Sequence, residues 1–329
     1  MDNYSKEEIQ QSPQSHELPF NNLFLNTGFV EGGNKLWMYV FGISATMLGY
    51  LVIGGLLVLP LFNRALQIGV TQAELLANQY IIFDPIRLDI NKNIILMVQF
   101  GLFVAAFLGL LFSIKIIHRK RFITVVTAFE KFRFKKFFFA FGLWTGLILV
   151  TFLITFLLSP ENLVLQFDLV SFLQLFFLCI IFLPIQTLTE EIIFRGYLLE
   201  GLSQVFKNGL VPIVITSTMF GTAHLSNPEA GAYGAYIMLT YYIVFAFFLG
   251  VITLMSEGLE LAFGIHLANN LISALLVTSP NSVLKTDALF YARTENVNTE
   301  LIMAFCALLI VFMVFWKKYN WKNFALVIR

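Results

Sequence analysis

Eight apolar runs, most of them long enough to cross a lipid bilayer, dominate this sequence. A transmembrane helix needs about 17–25 mostly apolar residues. Charged residues make up only 12% of the chain, against roughly 25% in ordinary soluble domains. The sequence therefore predicts an all-α, polytopic transmembrane helix bundle of about eight spans, or seven if the short fifth run does not cross. The runs lie near residues 37–62, 94–117, 137–158, 169–190, 211–225, 234–255, 258–278 and 301–316.

The distribution of Lys and Arg predicts the orientation of the bundle. With the N-terminus inside, 16 of the 21 Lys and Arg residues fall in inner segments and 5 in outer loops. Cytoplasmic loops carry the excess of these residues, so both termini are predicted to be cytoplasmic. We expect an integral, multi-pass protein, of the plasma or inner membrane if the host is bacterial. The net charge of +1 argues against a nucleic-acid partner.

Polar segments divide the chain into regions. Residues 1–35 are rich in Gln, Asn and Ser and are predicted to be a disordered cytoplasmic tail, with a short surface-lying piece near 20–29. Residues 36–329 are expected to form a single transmembrane helical domain. Within it, the stretch 119–136 is basic with interleaved aromatic residues. It is either an interfacial helix attracted to anionic headgroups or only a positive-inside anchor between two spans.

Two adjacent glutamates and an arginine stand at the end of the fourth apolar run. An ionisable group at membrane depth costs at least about 2.5–3.5 kcal/mol on insertion scales, so such groups usually have a function. In a helix, Glu191 and Arg195 are four residues apart on one face and can form an ion pair. Glu190 lies about 100° around the helix from Glu191. We therefore expect a supporting Glu191–Arg195 pair beside a Glu190 carboxylate that is available for chemistry.

Three further polar residues interrupt the apolar second half. His224 closes the fifth run, and His266 and Asn270 lie one helical turn apart in the seventh. Singly, each has a structural explanation, such as a buried core histidine or an amide that joins two helices. Together with Glu190 they are four polar side chains, from three different runs, that are energetically unfavourable at membrane depth. A single explanation for all four is therefore needed. We expect them to converge on one buried point.

The chemistry of this set suits peptide hydrolysis. A buried glutamate is a suitable general base, and a neighbouring imidazole can share the proton of an attacking water. A second imidazole and an amide can stabilise the oxyanion at the scissile carbonyl. Alternatively, Glu190, His224 and His266 could bind a divalent metal such as zinc, whose bound water is then the nucleophile.

These polar residues belong to three short motifs, EEIIFR at 190–195, FGTAH at 220–224 and HLANN at 266–270. In this order they resemble the motifs of the CAAX protease and bacteriocin-processing (CPBP, or Abi) family, which includes the type II CAAX prenyl endopeptidases. The resemblance covers a catalytic core of about residues 135–280. It implies an all-helical intramembrane endopeptidase in which Glu191 and Arg195 form the supporting pair.

The resemblance also implies a role for each remaining polar residue. Glu190 and His224 would activate the water, and His266 and Asn270 would stabilise the oxyanion. The family is usually described as metallopeptidases, although a metal-free glutamate mechanism has also been argued for it. We prefer no metal cofactor, because only three plausible ligands are present and the oxyanion also needs donors. A divalent metal such as zinc stays the alternative.

The leading hypothesis is therefore an enzyme, a membrane-embedded endopeptidase that cleaves a peptide bond near the membrane, with CAAX-type C-terminal processing as one form. Its expected partners are the lipid bilayer and a membrane-associated protein or peptide substrate, entering from the cytoplasmic side. A non-catalytic membrane scaffold or bacteriocin-immunity protein on the same fold is the alternative, and a transporter is a third. The intact polar set disfavours the scaffold, and the lack of paired, broken spans disfavours the transporter.

The spacing of the motifs creates one geometric difficulty. Counted from the starts of their runs at 1.5 Å per residue, the depths of Glu190, His224 and His266 differ by about 10–20 Å. Either a fourth helix that starts later and continues through Leu199, or a tilted or broken fifth span, would bring the three residues together. We expect the long, tilted fourth helix.

Overall fold

The structure is a computed structural model that describes residues 19–328, and it is mostly helical. In chain order the α-helices are α1 (Leu23–Val30), α2 (Leu36–Gln67), α3 (Gln72–Ala77), α4 (Pro85–Leu88), α5 (Lys92–Phe112), α6 (Phe134–Leu158), α7 (Leu169–Glu191), α8 (Leu199–Phe206), α9 (Leu210–Ala223), α10 (Pro228–Tyr233), α11 (Ala235–Ser256), α12 (Glu260–Leu276), α13 (Val297–Lys318) and α14 (Ala325–Ile328). Two π-helical segments extend this set, Ser113–Ile117 after α5 and Ile192–Leu198 between α7 and α8. Short 3-10 helices lie at Gln79–Phe83, Phe122–Val125 and Pro160–Asn162.

Six helices in the described part of the chain are long and apolar enough to cross a membrane. They are Leu36–Gln67, Lys92–Ile117, Phe134–Leu158, Leu169–Phe206, Ala235–Ser256 and Val297–Lys318. The other two predicted runs form the shorter apolar helices α9 and α12, of 14 and 17 residues. The predicted all-α, polytopic architecture is therefore confirmed, with six helices of full span length and two that are shorter.

The fourth span is one continuous helix of 38 residues, Leu169–Phe206. Its first turn is capped by Asp168, which accepts a hydrogen bond from the Ser171 amide at 2.8 Å. It ends where Lys207 adopts a left-handed conformation with φ of 56°. At 1.5 Å per residue the helix is about 57 Å long, well beyond a hydrocarbon core of roughly 30 Å. The fourth helix thus continues past Leu199, as we expected from the depths of the motifs.

A small sheet covers one end of the bundle, which we call the sheet end. It consists of β1 (Leu163–Leu165), β2 (Val277–Thr278) and β3 (Phe290–Ala292) in the order β1-β3-β2. Strands β1 and β3 pair antiparallel, and β2 and β3 pair parallel. The sheet joins the segment before the fourth span to the long connection between α12 and α13.

Polar contacts join the remaining connections of the sheet end. Lys285 binds Asp84 at 2.8 Å, which links the α12–α13 connection to the one between α2 and α5. Tyr80 donates a hydrogen bond to Asn227 at 2.8 Å, which adds the segment that follows α9. The sheet end therefore gathers every second connection of the bundle.

The opposite end, which we call the basic end, gathers the other connections and the described parts of both chain ends. The Asn22 amide donates to the Leu254 carbonyl at 2.9 Å and to the Leu326 carbonyl at 3.2 Å. Thr127 and Gly258 form an isolated antiparallel bridge. Residues 19–35 and 319–328 thus lie on the same side of the bundle, as an even number of crossings requires.

The disorder predicted for the N-terminal tail is wrong for residues 19–35, whereas residues 1–18 lie outside the described residues. Helix α1 packs into the bundle, with Phe24 and Leu25 buried. Its first turn is capped by Asn22, whose Oδ1 accepts from the Leu25 amide at 3.2 Å, and Asn26 accepts from the amide of the preceding Phe20 at 3.1 Å. The polar residues that suggested disorder are the ones that bind backbone groups inside the fold.

The interfacial helix considered for residues 119–136 is not formed. The segment instead turns through the 3-10 helix Phe122–Val125, and α6 begins only at Phe134. Lys120 is buried, and its ammonium binds the Glu200 carboxylate and, at 2.7 Å, the Gly28 carbonyl. These internal contacts fix the segment to the bundle. A helix lying along the membrane surface would not make them. The positive-inside anchor stays a prediction.

Reporter fusions test the orientation. Because the basic end carries most of the Lys and Arg residues, we expect reporters fused after Lys136 and after Lys317 to signal from the cytoplasm. A matched fusion after Asn281, at the sheet end, is expected to signal from the opposite face. An external signal at Lys136 or Lys317 would contradict the orientation.

Candidate active site

The three motifs meet inside the bundle, where α7, α9 and α12 contribute one motif each. Glu190 and Glu191 are the last residues of α7, and His224 follows directly after α9. His266 lies in the second turn of α12, one turn before Asn270. The Phe220 ring packs against both imidazoles, with its centroid 4.2 Å from that of His224 and 6.0 Å from that of His266. The structure therefore brings the three motifs close to one another, whereas no hydrogen bond among residues 19–328 joins Asn270 to Glu190, His224 or His266.

Glu191 is the centre of a buried charge cluster. Its Oε1 accepts a hydrogen bond from Arg195 Nη1 at 2.9 Å and one from His266 Nδ1 at 2.6 Å. Glu191 is 0% and Arg195 1% exposed. The guanidinium also donates to the Ala246 carbonyl at 3.4 Å and lies 4.6 Å from the centre of the Phe220 ring. The cluster neutralises the buried carboxylate and fixes the orientation of the His266 ring.

Glu190 is held differently, with one oxygen engaged and one free. Its Oε1 accepts a hydrogen bond from Gln186 Nε2 at 3.3 Å. Its Oε2 is buried, has no hydrogen-bond partner among residues 19–328, and lies 3.6 Å from His266 Nε2. A buried polar atom without a partner costs about 1–3 kcal/mol, so such atoms usually face a ligand, a water or a reacting group. Glu191 Oε2 and Gln186 Oε1 likewise have no hydrogen-bond partner within the described part of the chain, which marks this pocket as polar.

His224 presents a defined nitrogen to the site. Its Nδ1 lies 2.7 Å from the Phe220 carbonyl oxygen. A carbonyl can only accept, so Nδ1 carries the proton and a neutral ring keeps Nε2 as an acceptor. The ring stacks on Phe220 with centroids 4.2 Å apart and packs against Tyr242 at 5.0 Å. The imidazole is thus rigidly held with a basic nitrogen available.

Asn270 is half-buried on the same helix as His266. Its Oδ1 accepts a hydrogen bond from Asn269 Nδ2 at 3.3 Å. Asn269 is itself positioned by Trp144, whose indole donates to Asn269 Oδ1 at 3.2 Å. Because its carbonyl oxygen is engaged, Asn270 has its amide donors left for another group.

The π-helical segment that follows the glutamates is a feature that the sequence did not predict. It covers Ile192–Leu198 and therefore includes Arg195. At Gly196 the helix passes so close to the connection between α5 and α6 that a Cβ atom would lie 2.5 Å from the Val125 carbonyl oxygen. Single π turns within α-helices occur frequently at functional sites. Here the wider turn carries the arginine of the buried pair.

Several residues around the site were also missed. Gln186 lies one turn before Glu190, so the i,i+4 argument used for Glu191 and Arg195 could have found it. Tyr242 packs on His224 from α11, and Tyr50 lies within electrostatic range of Glu190 from α2. Neither tyrosine has a sequence signal, because aromatic residues are common throughout the apolar runs.

The choice between a metal-free site and a divalent metal stays a prediction. Among residues 19–328, no group of three His, Cys, Asp or Glu side chains is close enough to hold a metal ion as the side chains stand. His224 and His266 each use Nδ1, for the Phe220 carbonyl and for Glu191, which leaves both Nε2 atoms for the site. Metal-binding histidines are commonly oriented in this way, so Glu190, His224 and His266 stay the ligands considered for a divalent ion.

Comparison with known proteins agrees with the three motifs. A family model for type II CAAX prenyl endopeptidase Rce1-like proteins matches residues 171–272, which include every site residue from Glu190 to Asn270. The chain is also 30% identical over 256 residues to the uncharacterized protein YyaK of Bacillus subtilis (strain 168). That alignment covers 77% of this chain and 82% of YyaK. No solved structure matches the chain.

Proposed function

The chain belongs to the family of Rce1-like type II CAAX prenyl endopeptidases, and from this premise we propose that it is an active intramembrane endopeptidase. It is an integral, multi-pass membrane protein. The observation that carries the proposal is the buried, unpartnered Oε2 of Glu190, 3.6 Å from His266. A carboxylate oxygen in this position is suited to bind and deprotonate a water molecule.

The proposed reaction begins at Glu190. Its carboxylate takes a proton from water while the water oxygen attacks the carbonyl carbon of the scissile peptide bond. His224 shares this proton through Nε2, the nitrogen that its bond to Phe220 leaves as an acceptor. When the carbon–nitrogen bond breaks, the proton passes to the leaving amine, and the water oxygen stays on the new carboxyl group. The reaction needs no other reactant.

His266 and Asn270 stabilise the oxyanion in this proposal. His266 donates its Nδ1–H to Glu191, so its Nε2 can donate to an oxyanion only while the ring carries its second proton. Glu191 therefore acts through His266, as a positioning residue, and Arg195 pairs with Glu191 and holds it in place. Asn270 adds a neutral amide donor that needs no proton transfer.

Asn270→Ala tests whether the Asn270 amide stabilises the oxyanion. Loss of one oxyanion donor lowers kcat by about 10²–10³-fold in other hydrolases, so we expect residual but measurable cleavage. Single-turnover rates of the purified protein check this. Asn208→Ala, on the basic-end connection before α9, is the matched amide control and is expected to cleave at the wild-type rate. A wild-type rate for Asn270→Ala would remove the residue from the proposed site.

Exhaustive chelation tests whether side chains alone or a bound metal ion activates the attacking water. Because the proposed mechanism uses Glu190 and His224 alone to activate water, we expect chelated, purified protein to keep its cleavage rate. Elemental analysis should then find well under one metal ion per chain. Loss of activity on chelation, with recovery on adding zinc, would instead favour a metal-bound water as the nucleophile.

Peptide mass spectrometry of membranes tests the function itself. Membranes from cells that express the wild type are compared with membranes from cells that express Glu190→Ala, with exposed Glu161→Ala as the control. We expect a set of new peptide termini that is present for the wild type and Glu161→Ala and absent for Glu190→Ala. Identical termini in all three samples would favour a non-catalytic scaffold on the same fold. The sequences around the new termini would identify the substrate and whether it is of the CAAX type.

A further inference from the structure

Gln186 lies one helical turn before Glu190 on the same face of α7, and its amide has a defined direction. Its Nε2 donates to Glu190 Oε1 at 3.3 Å. An ionised carboxylate can only accept, so the NH₂ group of Gln186 must point at Glu190 and its carbonyl oxygen away from that contact. This oxygen, Oε1, is buried and has no hydrogen-bond partner among residues 19–328. A buried acceptor of this kind needs a donor from outside the protein.

The hydroxyl groups beside Gln186 are engaged with their own helix. Thr187 and Thr189 each donate to the carbonyl four residues earlier, at 2.8 and 2.6 Å. Threonine hydroxyls inside helices commonly bond in this way, and they are then not directed at a ligand. The carbonyl of Gln186 is therefore free for the site where its polar neighbours are not.

The pocket around Gln186 offers acceptors that need donors. Glu190 Oε2 also has no hydrogen-bond partner within the described chain, since His266 Nε2, at 3.6 Å, is too far away to donate to it. His224 adds a further acceptor, Nε2, because its Nδ1 donates to the Phe220 carbonyl. A water molecule donates two hydrogen bonds, and buried waters typically bond polar groups that the protein leaves unsatisfied. The pocket therefore suits a bound water.

The contact between Gln186 and Glu190 determines how such a water is oriented. Each free oxygen is bonded to the same carbon as the atom that makes the 3.3 Å contact, so the two free oxygens flank one hydrogen bond. A water that donates one O–H to each of them has both hydrogens fixed. Its lone pairs then point away from the two acceptors, towards the space that a substrate occupies. Orientation of this kind lowers the barrier to attack, because the reacting atoms are already aligned.

We propose that Gln186 is a further catalytic residue, whose carbonyl oxygen holds one O–H of the attacking water while Glu190 removes the other proton. The proton on the Gln186 side stays on the water oxygen as it attacks, and it leaves with the new carboxyl group of the product. Gln186 itself neither gains nor loses a proton. The proposal rests on the proposed endopeptidase function, because it needs a water that attacks a peptide carbonyl.

A double-mutant cycle tests this role. Gln186→Met keeps the length of the side chain but removes the amide. Gln174→Met makes the same change at an exposed position earlier on the same helix and is the matched control. The rates of the wild type, the two Met variants, Glu190→Gln and the double variant Gln186→Met/Glu190→Gln are compared. Each purified protein cleaves a reporter peptide that spans one of the wild-type-specific termini, and kcat, KM and thermal unfolding are measured.

We expect Gln186→Met to lower kcat by about 10–100-fold, the effect of leaving one buried hydrogen-bonding group unsatisfied, with KM and thermal stability unchanged. Gln174→Met is expected to keep the wild-type kcat. In the Glu190→Gln background, Gln186→Met should lower kcat no further, because both residues act on the same water. A wild-type kcat for Gln186→Met would overturn the proposal. So would a full additional loss in the double variant, or a loss of activity that follows a loss of stability.

Failure of the proposed function would give a different result, because Glu190→Gln would then cleave as fast as the wild type. An experimental structure that shows ordered water provides the second test, which does not require Gln186→Met to fold. We expect one water within hydrogen-bonding distance of both Gln186 Oε1 and Glu190 Oε2 in the wild type. A metal ion at that position, or no water there, would overturn the role of Gln186.

Discussion

Glu190→Gln is expected to lower kcat by about 10²–10⁴-fold, the range that a positioned general base contributes, with no change in thermal stability. The amide keeps the shape of the carboxylate and its hydrogen-bonding contact with Gln186, but it cannot accept a proton from water. Single-turnover cleavage and thermal unfolding of the purified protein measure the two quantities.

Glu161→Gln is the matched control for this variant. It makes the same chemical change on an exposed carboxylate at the sheet end, away from the site, and is expected to cleave at the wild-type rate. If Glu190→Gln cleaves as fast as this control, the assignment of a peptidase site to the three motifs fails. A variant that is both inactive and unstable would instead show that Glu190 has a structural role.

Arg195→Ala is expected to destabilise the protein strongly and to reduce activity as a consequence. The guanidinium is 1% exposed and neutralises Glu191, so its removal strands a buried carboxylate beside His266. Removal of one partner from a buried ion pair costs about 3–5 kcal/mol. Folded yield after purification and the free energy of unfolding in detergent or lipid measure the effect.

Arg121→Ala provides the comparison for an exposed pair. Arg121 binds Glu31 at 2.9 Å, but its side chain is 70% exposed, and pairs of this kind contribute only about 0–1 kcal/mol. We therefore expect a clear difference in stability between Arg195→Ala and Arg121→Ala. Equal stabilities of the two variants would mean that Glu191 and Arg195 do not stabilise one another inside the fold.

The parts of the fold that follow from local sequence were predictable. A run of apolar residues at span length forms a helix in a membrane protein because its backbone has no other donors and acceptors there. The ion pair of Glu191 with Arg195 follows in the same way, since i,i+4 spacing alone brings the two side chains together. The length of the fourth helix followed from comparing the depths of the motifs.

The parts that depend on contacts between distant residues were not predictable. His266 binds Glu191 across 75 residues of sequence, and no local pattern distinguishes this bond from one to Glu190. The burial of Lys120 against Glu200 likewise depends on the tertiary fold, and it replaces the surface helix that the charges of residues 119–136 suggested.

The π-helical segment Ile192–Leu198 holds one more residue than a regular α-helix would need to make the same turn. It absorbs this residue locally, so the two halves of the fourth span keep their relative orientation. Deletion of one residue inside the segment would therefore restore an α-helix and leave Glu190 and Glu191 on the same face, while Lys120 still holds Glu200 in the second half. Deletion of one residue in the regular helix on either side would instead rotate the two halves by about 100° relative to each other. The fourth span thus tolerates a change of length at this segment and at no neighbouring turn.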